Sequence, residues 1–264
     1  MKFSIITPVY NGEKYIKETI ESLLIQEGEF DIELIVQDGG STDNTVHIAN
    51  EYISKLKSGQ KIFKCNSFDM RLFSERDNGM YDAINKGFEK ATGEIFAWLN
   101  SDDTYLPGAL KVIENYLSKS PEVLWIKGMN IVTDENGEIK KRGRSFKYYQ
   151  SLIKRGVYGR YAPVIEQETV FWRRSLWEKV GPINSSLRLA GDYWLWIEFA
   201  KYTKLYSINI PVARFRRLEN SLSNEGGGKK YRAEQAKIMP PKGSLLEFSV
   251  KLFYWIKNKL NHLW

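Results

Sequence analysis

Three features of the sequence predict an α/β fold with a mostly parallel, doubly wound central sheet. Within the first 120 residues, an apolar β-rich run is followed four times by a segment whose apolar positions recur at helical spacing. The runs are nearly continuous in apolar character, as strands covered on both faces must be. Each also ends in acids or small polar residues: Thr7 with Tyr10 and Asn11, then Asp38, then Glu75 with Asp77, then Asp102 with Asp103. Ligands of open α/β sheets lie beyond the carboxyl ends of the strands, so these side chains are expected to converge on one cleft.

The elements follow in order. KFSIITPV (2–9) reads as the first strand, Asn11-Gly12 as a turn, and Tyr15, Ile16, Thr19, Ile20, Leu23 and Leu24 as one face of a helix reaching Gln26. IELIVQD (32–38) is the second strand and residues 42–56 the second helix. MRLFSE (70–75) precedes a third helix in DNGMYDAINKGFEKA, and GEIFAWLNSDD supplies the fourth strand and its acids. A helix runs from Pro107 to Ser120, and VLWIKGMNIV with EIKKRGRSF forms a hairpin turning at residues 134–137. Residues 147–166 suggest a helix and a loop over the cleft. ETVFWRR is a short strand, SLWEKVG a helix stopped by Gly181-Pro182, and SSLRLAGDYWLWIEFAKY contains another helix. LYSINIPVARFRR alternates like a strand pair interrupted at Pro211. Residues 1–106, where the acids gather, are expected to form a nucleotide-binding half, and 107–224 an acceptor half, of one domain.

Composition narrows the class. The 264 residues are 42% apolar and 27% charged, enough for a full core. The net charge of +7 favours anionic partners without choosing among them. One cysteine, Cys65, excludes an intrachain disulfide and a cysteine zinc site and suits a reducing cytoplasm. The apolar run in MKFSIITPVYNG is too short for a secretory signal, and no stretch approaches the roughly 20 apolar residues of a membrane span. There is neither a GxGxxG fingerprint nor a GxxxxGK[ST] loop, which disfavours a dehydrogenase and a P-loop ATPase. Nucleic-acid binding would explain the charge but not the acids around the cleft.

WLNSDD (98–103) is the stretch with most chemistry. Adjacent carboxylates at a strand exit suit a hard cation, Mg²⁺ or Mn²⁺, which takes one or two carboxylates with phosphate oxygens and water. The same hexapeptide is equally compatible with a helix N-cap at Ser101 or Asp102.

The last 40 residues differ. EGGGKKYRAEQAKIMPPKG (225–243) reads as a mobile linker. Residues 244–264 set Leu245, Leu252, Phe253, Ile256, Leu260 and Leu263 on one face of a basic helix. Eight Lys or Arg against three Glu leave +5 of the +7 in 225–264. That is the pattern of an interfacial anchor, which points to the inner face of the cell membrane. A helix packed on the domain or in a homodimer is the competing reading.

The stretches SIITPVYNGEKYI, VQDGGSTDNT, SERDNGMYDAINKG, WLNSDD and QETVFWRRSLWEKVGPINSSLRLAGDYWLW occur in the order found in the family-2 glycosyltransferases of bacterial surface-polysaccharide synthesis, and the chain resembles them over about residues 1–224. The resemblance implies a GT-A fold, a nucleoside-diphosphate sugar donor, a divalent metal and inversion, giving a β-linked product from an α-linked donor. Pro8, Tyr10 and Asn11 match the turn against the nucleotide, and Asp38 the acid that accepts from the base. Asp77 and Asp82 match acids at the nucleotide-sugar end. Asp102 resembles the ribose-contacting or ligand member of the DxD-type motif, Asp103 the metal ligand, and Asp192 the general base. Leu218 stands where RRLENSLS departs from the family's RxHxxSxS, so a histidine ligand is not expected. Gln167 or Glu168 is placed to contact the acceptor or to lie on an exposed strand edge. Arg173 and Arg174 read as phosphate contacts or as surface charges. The acceptor is a saccharide or lipid-linked oligosaccharide, and a UDP-sugar is favoured. A non-catalytic sugar-nucleotide-binding module and a sugar nucleotidyltransferase are the alternatives.

Overall fold

The computed structural model describes residues 1–160, 162–218, 228–238 and 249, and it contains the four expected strand–helix units. β1 (Lys2–Val9), β2 (Glu27–Asp38), β3 (Lys64–Ser74) and β4 (Ile95–Trp98) alternate with α1 (Ile16–Leu24), α2 (Thr45–Lys57) and α3 (Met80–Glu89), and α4 (Ala109–Lys119) follows β4. These strands run parallel in the order β3-β2-β1-β4. The second and third strands start earlier than their apolar runs suggest, because Glu27 and Gly28 already pair with Lys64 and Cys65 ahead of a register shift.

β5 (Thr104–Tyr105), β6 (Trp125–Thr133), β7 (Ile139–Arg142), β8 (Val170–Arg173) and β9 (Tyr206–Arg216) extend the sheet as β4-β8-β6-β9-β5, with β7 on β6. β8 is antiparallel to both β4 and β6, so strand direction reverses there. The expected hairpin turn is built by Asp134, whose Oδ1 accepts the N–H groups of Asn136 and Glu138 at 3.0 Å. At Pro211 the structure departs from expectation: β9 is one strand, not two, and its register against β6 shifts on either side of the Met129–Pro211 pairing. Proline has no N–H for the ladder, and a bulge absorbs that loss without ending the strand.

Side chains divide by the period of two that a strand imposes. Phe3 and Ile5 of β1, Leu34 and Val36 of β2 and Ala97 of β4 face α1, α2 and α4. Ile6, Ile35, Phe96 and Trp98 face the other way, against α3, α5 (Gln150–Lys154), α6 (Arg174–Val180) and α7 (Gly191–Tyr202). On that second face Trp98 stacks on Trp196 at 5.8 Å and meets Trp172 edge-on at 5.6 Å, and Trp125 stacks on Trp196 at 5.7 Å. Aromatic pairs contribute about 0.5–1.5 kcal/mol each beyond their buried area, so this group fixes α7 against the end of β4. α3 lies close on the sheet at Gly87, where a Cβ would stand 2.4 Å from Ile6 Cγ2.

The segment read as a mobile linker contains α8 (Lys229–Ile238). Its Gly, Lys and Pro content conceals Tyr231, Gln235 and Ile238 at i, i+4, i+7, a face that docks on α7: Tyr231 and Ile238 pack against Ala190, Tyr193 and Ile197, and Gln235 is buried. The proposed tail helix at 244–264 lies outside the described residues apart from Ser249. Among the described residues no helix is long and apolar enough to cross a membrane.

Candidate active site

The loops leaving β1 and β2 are joined by reciprocal hydrogen bonds. Asn11 adopts φ 51°, a left-handed conformation that asparagine tolerates better than most residues. In that position its N–H reaches Ser41 Oγ at 2.8 Å, while its Oδ1 accepts Thr42 N–H at 2.8 Å. Gly12 N–H donates to Thr45 Oγ1 at 2.8 Å and Gly39 N–H to the Val9 carbonyl at 2.9 Å. Pro8 is buried inside β1, and Tyr10 stands 65% exposed at the lip. The third loop joins through Glu75 N–H to the Asp38 carbonyl at 3.0 Å, and Asp77 packs where a Cβ on Gly39 would meet its Oδ2 at 2.5 Å.

Within this cleft the expected acids divide into builders and exposed groups. Asp38 is fully buried, and its carboxylate accepts the N–H groups of Gly40 and Ser41 and the hydroxyls of Ser41 and Ser74. A base contact would have to displace one of these. Asp77 accepts Gly79 N–H at 2.9 Å, and Asp82, in the first turn of α3, accepts Asn78 N–H at 2.9 Å beside Lys86 at 3.4 Å. These two carboxylates organise the entry to α3.

The acid pair follows the same division. Asp103, expected to hold the metal, is 1% exposed, and its Oδ1 accepts the Arg216 N–H at 3.0 Å. Burial holds its carboxyl well above the usual carboxylate range, helped by the neighbouring charges of Asp102 and Glu168. Asp102 is the more open of the two. Burial raises its carboxyl as well, opposed by its own N–H and by Arg216. Two residues upstream, the Asn100 side-chain oxygen is buried with no hydrogen-bond partner. Asp103 is thus committed to the backbone of β9, while Asp102 is the partly exposed carboxylate and Asn100 the unpartnered oxygen beside it. Among the described residues no three His, Cys, Asp or Glu side chains gather around a cation. An oxygen set of one carboxylate and one amide suits a hard cation whose remaining ligands come from diphosphate and water.

Arg216 is the residue that sequence reading missed. It ends β9, donates from Nε to the Asp102 carbonyl at 3.1 Å and from Nη1 to the Glu135 carbonyl at 3.0 Å, pairs with Glu18, and covers the Tyr15 ring at 4.4 Å. The signal was present: Arg216 heads RRLENSLS, the segment searched only for a histidine. Leu218 is partly buried just beyond it.

Gln167 and Glu168 do not lie on an exposed strand edge. They form a 3₁₀ turn beneath the cleft, 9% and 4% exposed, with Gln167 donating to the Trp98 carbonyl and Glu168 accepting from Asn130 at 2.8 Å. Burial and the adjacent Glu166 push the Glu168 carboxyl up to about 7. Arg173 donates to the carbonyls of Val123 and Leu117 and closes the end of α4, and Arg174 pairs with Glu178 on the surface. Neither touches the cleft acids.

Asp192 opens α7, held from two directions. Asn85 of α3 exchanges hydrogen bonds with the Ile183 backbone at 2.8 and 2.9 Å, and Tyr81 Oη donates to the Leu189 carbonyl at 2.8 Å while accepting the Asp192 N–H at 3.3 Å. Tyr231 Oη of α8 donates to Asp192 Oδ1 at 3.2 Å. Burial pushes the Asp192 carboxyl up to about 6, opposed by Tyr193 N–H and the two tyrosines. The pocket beside it is lined by Tyr158, Ile165, Tyr193, Trp196 and Tyr231. A carboxylate that titrates near neutrality next to an apolar, aromatic pocket can take a proton from a bound hydroxyl.

Comparisons with known proteins bear on the family and the fold. The family described as glycosyl transferase family 2 matches residues 4–179. An uncharacterized glycosyltransferase of Rickettsia typhi is 30% identical over 205 residues, 77% of this chain and 60% of the relative. The chain thus spans about 60% of the length of that relative. A PGL/p-HBAD biosynthesis glycosyltransferase of Mycobacterium bovis is 28% identical over 228 residues, 86% of this chain and 78% of the relative. Among solved structures, S. aureus TarS with UDP-GlcNAc superimposes with a TM-score of 0.62 at 20% identity, over 84% of this chain and 60% of that one. The mannosyltransferase PcManGT from Pyrobaculum calidifontis with GDP-Man and Mn²⁺ gives 0.60 at 16% identity, over 96% and 68%. The curled, mostly parallel sheet is that of these GT-A-like neighbours.

Proposed function

Since the chain belongs to glycosyl transferase family 2, we propose that it moves a sugar from a nucleoside-diphosphate donor, UDP-linked by preference, to a hydroxyl of a saccharide or lipid-linked acceptor, with inversion. The observation that carries this reading is Asp192: a carboxyl pushed up to about 6 at the start of α7, beside an aromatic pocket and on the same sheet end as the acid pair. The acceptor oxygen attacks the anomeric carbon as the bond from that carbon to the phosphate oxygen breaks. Asp192 takes the hydroxyl proton, and the nucleoside diphosphate leaves with the bonding electrons. A positioned base of this kind is worth about 10²- to 10⁴-fold in rate.

The zipped loops at 10–13 and 39–45 would seat the nucleotide, with Asp38, Asp77 and Asp82 holding them in shape. Asp102 and Asn100 would hold Mg²⁺ or Mn²⁺, which when bound neutralises charge on the leaving diphosphate. The structures of TarS with UDP-GlcNAc and of PcManGT with GDP-Man and Mn²⁺ support a nucleotide-sugar site in this fold. The Mycobacterium bovis relative's name, a PGL/p-HBAD biosynthesis glycosyltransferase, supports glycosyl transfer in a biosynthetic role, and the basic, apolar-faced residues 244–264 would serve as an anchor on a membrane surface.

The deciding experiment is thermal shift against UDP-, GDP-, dTDP- and CMP-sugars with and without Mn²⁺, followed by turnover of the best donor in the parent and in Asp192→Asn. A metal-dependent shift with turnover lost in the variant supports the reading. Binding without turnover in the parent, across a panel of saccharide acceptors, would favour a non-catalytic binding module.

A further inference from the structure

Helix α8 follows the residues that carry the family match, which end at 179. Two of its side chains nevertheless reach the start of α7. Glu234 accepts the N–H groups of Arg188, Leu189 and Ala190 at 2.9, 2.7 and 2.6 Å, three consecutive donors on the segment that enters α7, the last of them its N-cap. One turn earlier, Tyr231 Oη points at Asp192 Oδ1 from 3.2 Å. The other nearby hydroxyl is less available: Tyr81 stands 3.5 Å from the same oxygen and has a better acceptor in the Leu189 carbonyl at 2.8 Å. Between these two hydroxyls, Tyr231 is therefore the closer donor to this carboxylate.

We infer that α8 completes the catalytic centre, with Tyr231 as the positioning residue of the Asp192 carboxylate and Glu234 as the clasp that holds α8 against α7. This rests on Asp192 being the base. Tyr231 fixes which carboxylate oxygen faces the acceptor, because Oδ1 is occupied by Tyr231 and by Tyr193 N–H at 2.7 Å. The second oxygen is left to receive the proton. The catalytic unit thus extends through Ile238 and does not end near residue 224.

The groups facing Asp192 are Tyr81 from α3, Tyr193 from its own helix, Tyr231 and Glu234 from α8, and Tyr158 from the loop after α5. A donated hydrogen bond favours the charged carboxylate, so removing the Tyr231 hydroxyl raises its titration midpoint. The test is a carbon-13 carboxyl NMR titration of the full chain labelled at aspartate, with Asp192→Asn identifying the resonance. The parent midpoint is expected near 6, and Tyr231→Phe, which keeps the ring, should move it upward by about half a unit or more. The acid limb of kcat/KM, measured with the nucleotide sugar that turns over in the donor panel, should move upward with it, and kcat on the pH plateau should fall because the oxygen that takes the proton is no longer fixed. An unmoved midpoint and acid limb, with Asp192→Asn inactive, overturns the role of Tyr231 alone. Parent-like turnover in Asp192→Asn would overturn the base assignment and this inference with it.

Discussion

The backbone N–H of Arg216 donates to the Asp103 carboxylate at 3.0 Å, although the two residues are 113 positions apart. Its guanidinium then spans the Asp102 and Glu135 carbonyls. Arg216 thus binds the strand that bears it to the loop that bears the acids.

Replacing Arg216 with lysine keeps the charge but cannot bridge both carbonyls and Glu18 from one ammonium. The expected cost is about 2 kcal/mol, since buried carbonyls are left unpaired. Chemical denaturation reads it, and donor affinity should fall as well because the Asp102 loop loosens.

Asp102→Asn and Asp103→Asn should behave differently. The first removes the open carboxylate and should abolish the Mn²⁺-dependent part of the donor thermal shift. That shift corresponds to about 2.7 kcal/mol for a ligand at 100 times its dissociation constant. The second replaces a buried group whose neutral form burial favours, so it should keep a reduced but measurable metal dependence. Equal loss in both variants would return the metal to Asp103.

Glu168 supplies a pH signature. Its folded carboxyl lies at about 7, against 4.5 ordinarily. Between those values the unfolded chain releases a proton that the folded chain keeps, so stability falls as pH rises from about 4.5 to about 7 and then levels off. The amplitude is on the order of 3 kcal/mol. Glu168→Gln, which retains an acceptor for Asn130, should flatten this part of the urea-midpoint against pH curve.

Glu33 predicts the opposite slope. It is 1% exposed in the middle of β2 and accepts from Ser4, Arg71 and Thr92. Although burial opposes it, the hydrogen bonds from Ser4 and Thr92 and the charge of Lys2 hold its carboxyl below the ordinary 4.5. Its contribution is present above pH 4.5 and is lost as pH falls through the depressed value. Glu33→Ala should cost about 1–3 kcal/mol by leaving the buried Ser4 hydroxyl and the Thr92 N–H without their acceptor. Donor affinity of the folded variant should be unchanged, because Ser4 and Thr92 lie toward the opposite end of the sheet from the cleft.

The strand–helix units of the donor half were legible because parallel strands buried on both faces must be continuously apolar and their helices periodic. The ordered motifs likewise led to Asp38, the acid pair and Asp192. What could not be read was which carboxylate of a pair faces outward. Asp102 and Asp103 are chemically identical, and the distinction is made by Arg216, a contact that no local pattern encodes. Gln167 and Glu168 illustrate the same limit, since burial beneath the cleft depends on the packing of β6 and β8. Pro211 and α8 were misread for a local reason: proline and a Gly-Lys-rich composition signal interruption, and tertiary pairing overrode both.

The pairing of β5 with β9 also bears on how the protein is made. Thr104 and Tyr105 find Arg214 and Ala213 only after some 110 further residues have left the ribosome. Until then the nascent chain carries the adjacent Asp102 and Asp103 carboxylates without the strand that separates their roles. The strand–helix units of residues 1–106 can fold early on their local contacts, but the acid loop is finished only when β9 has emerged.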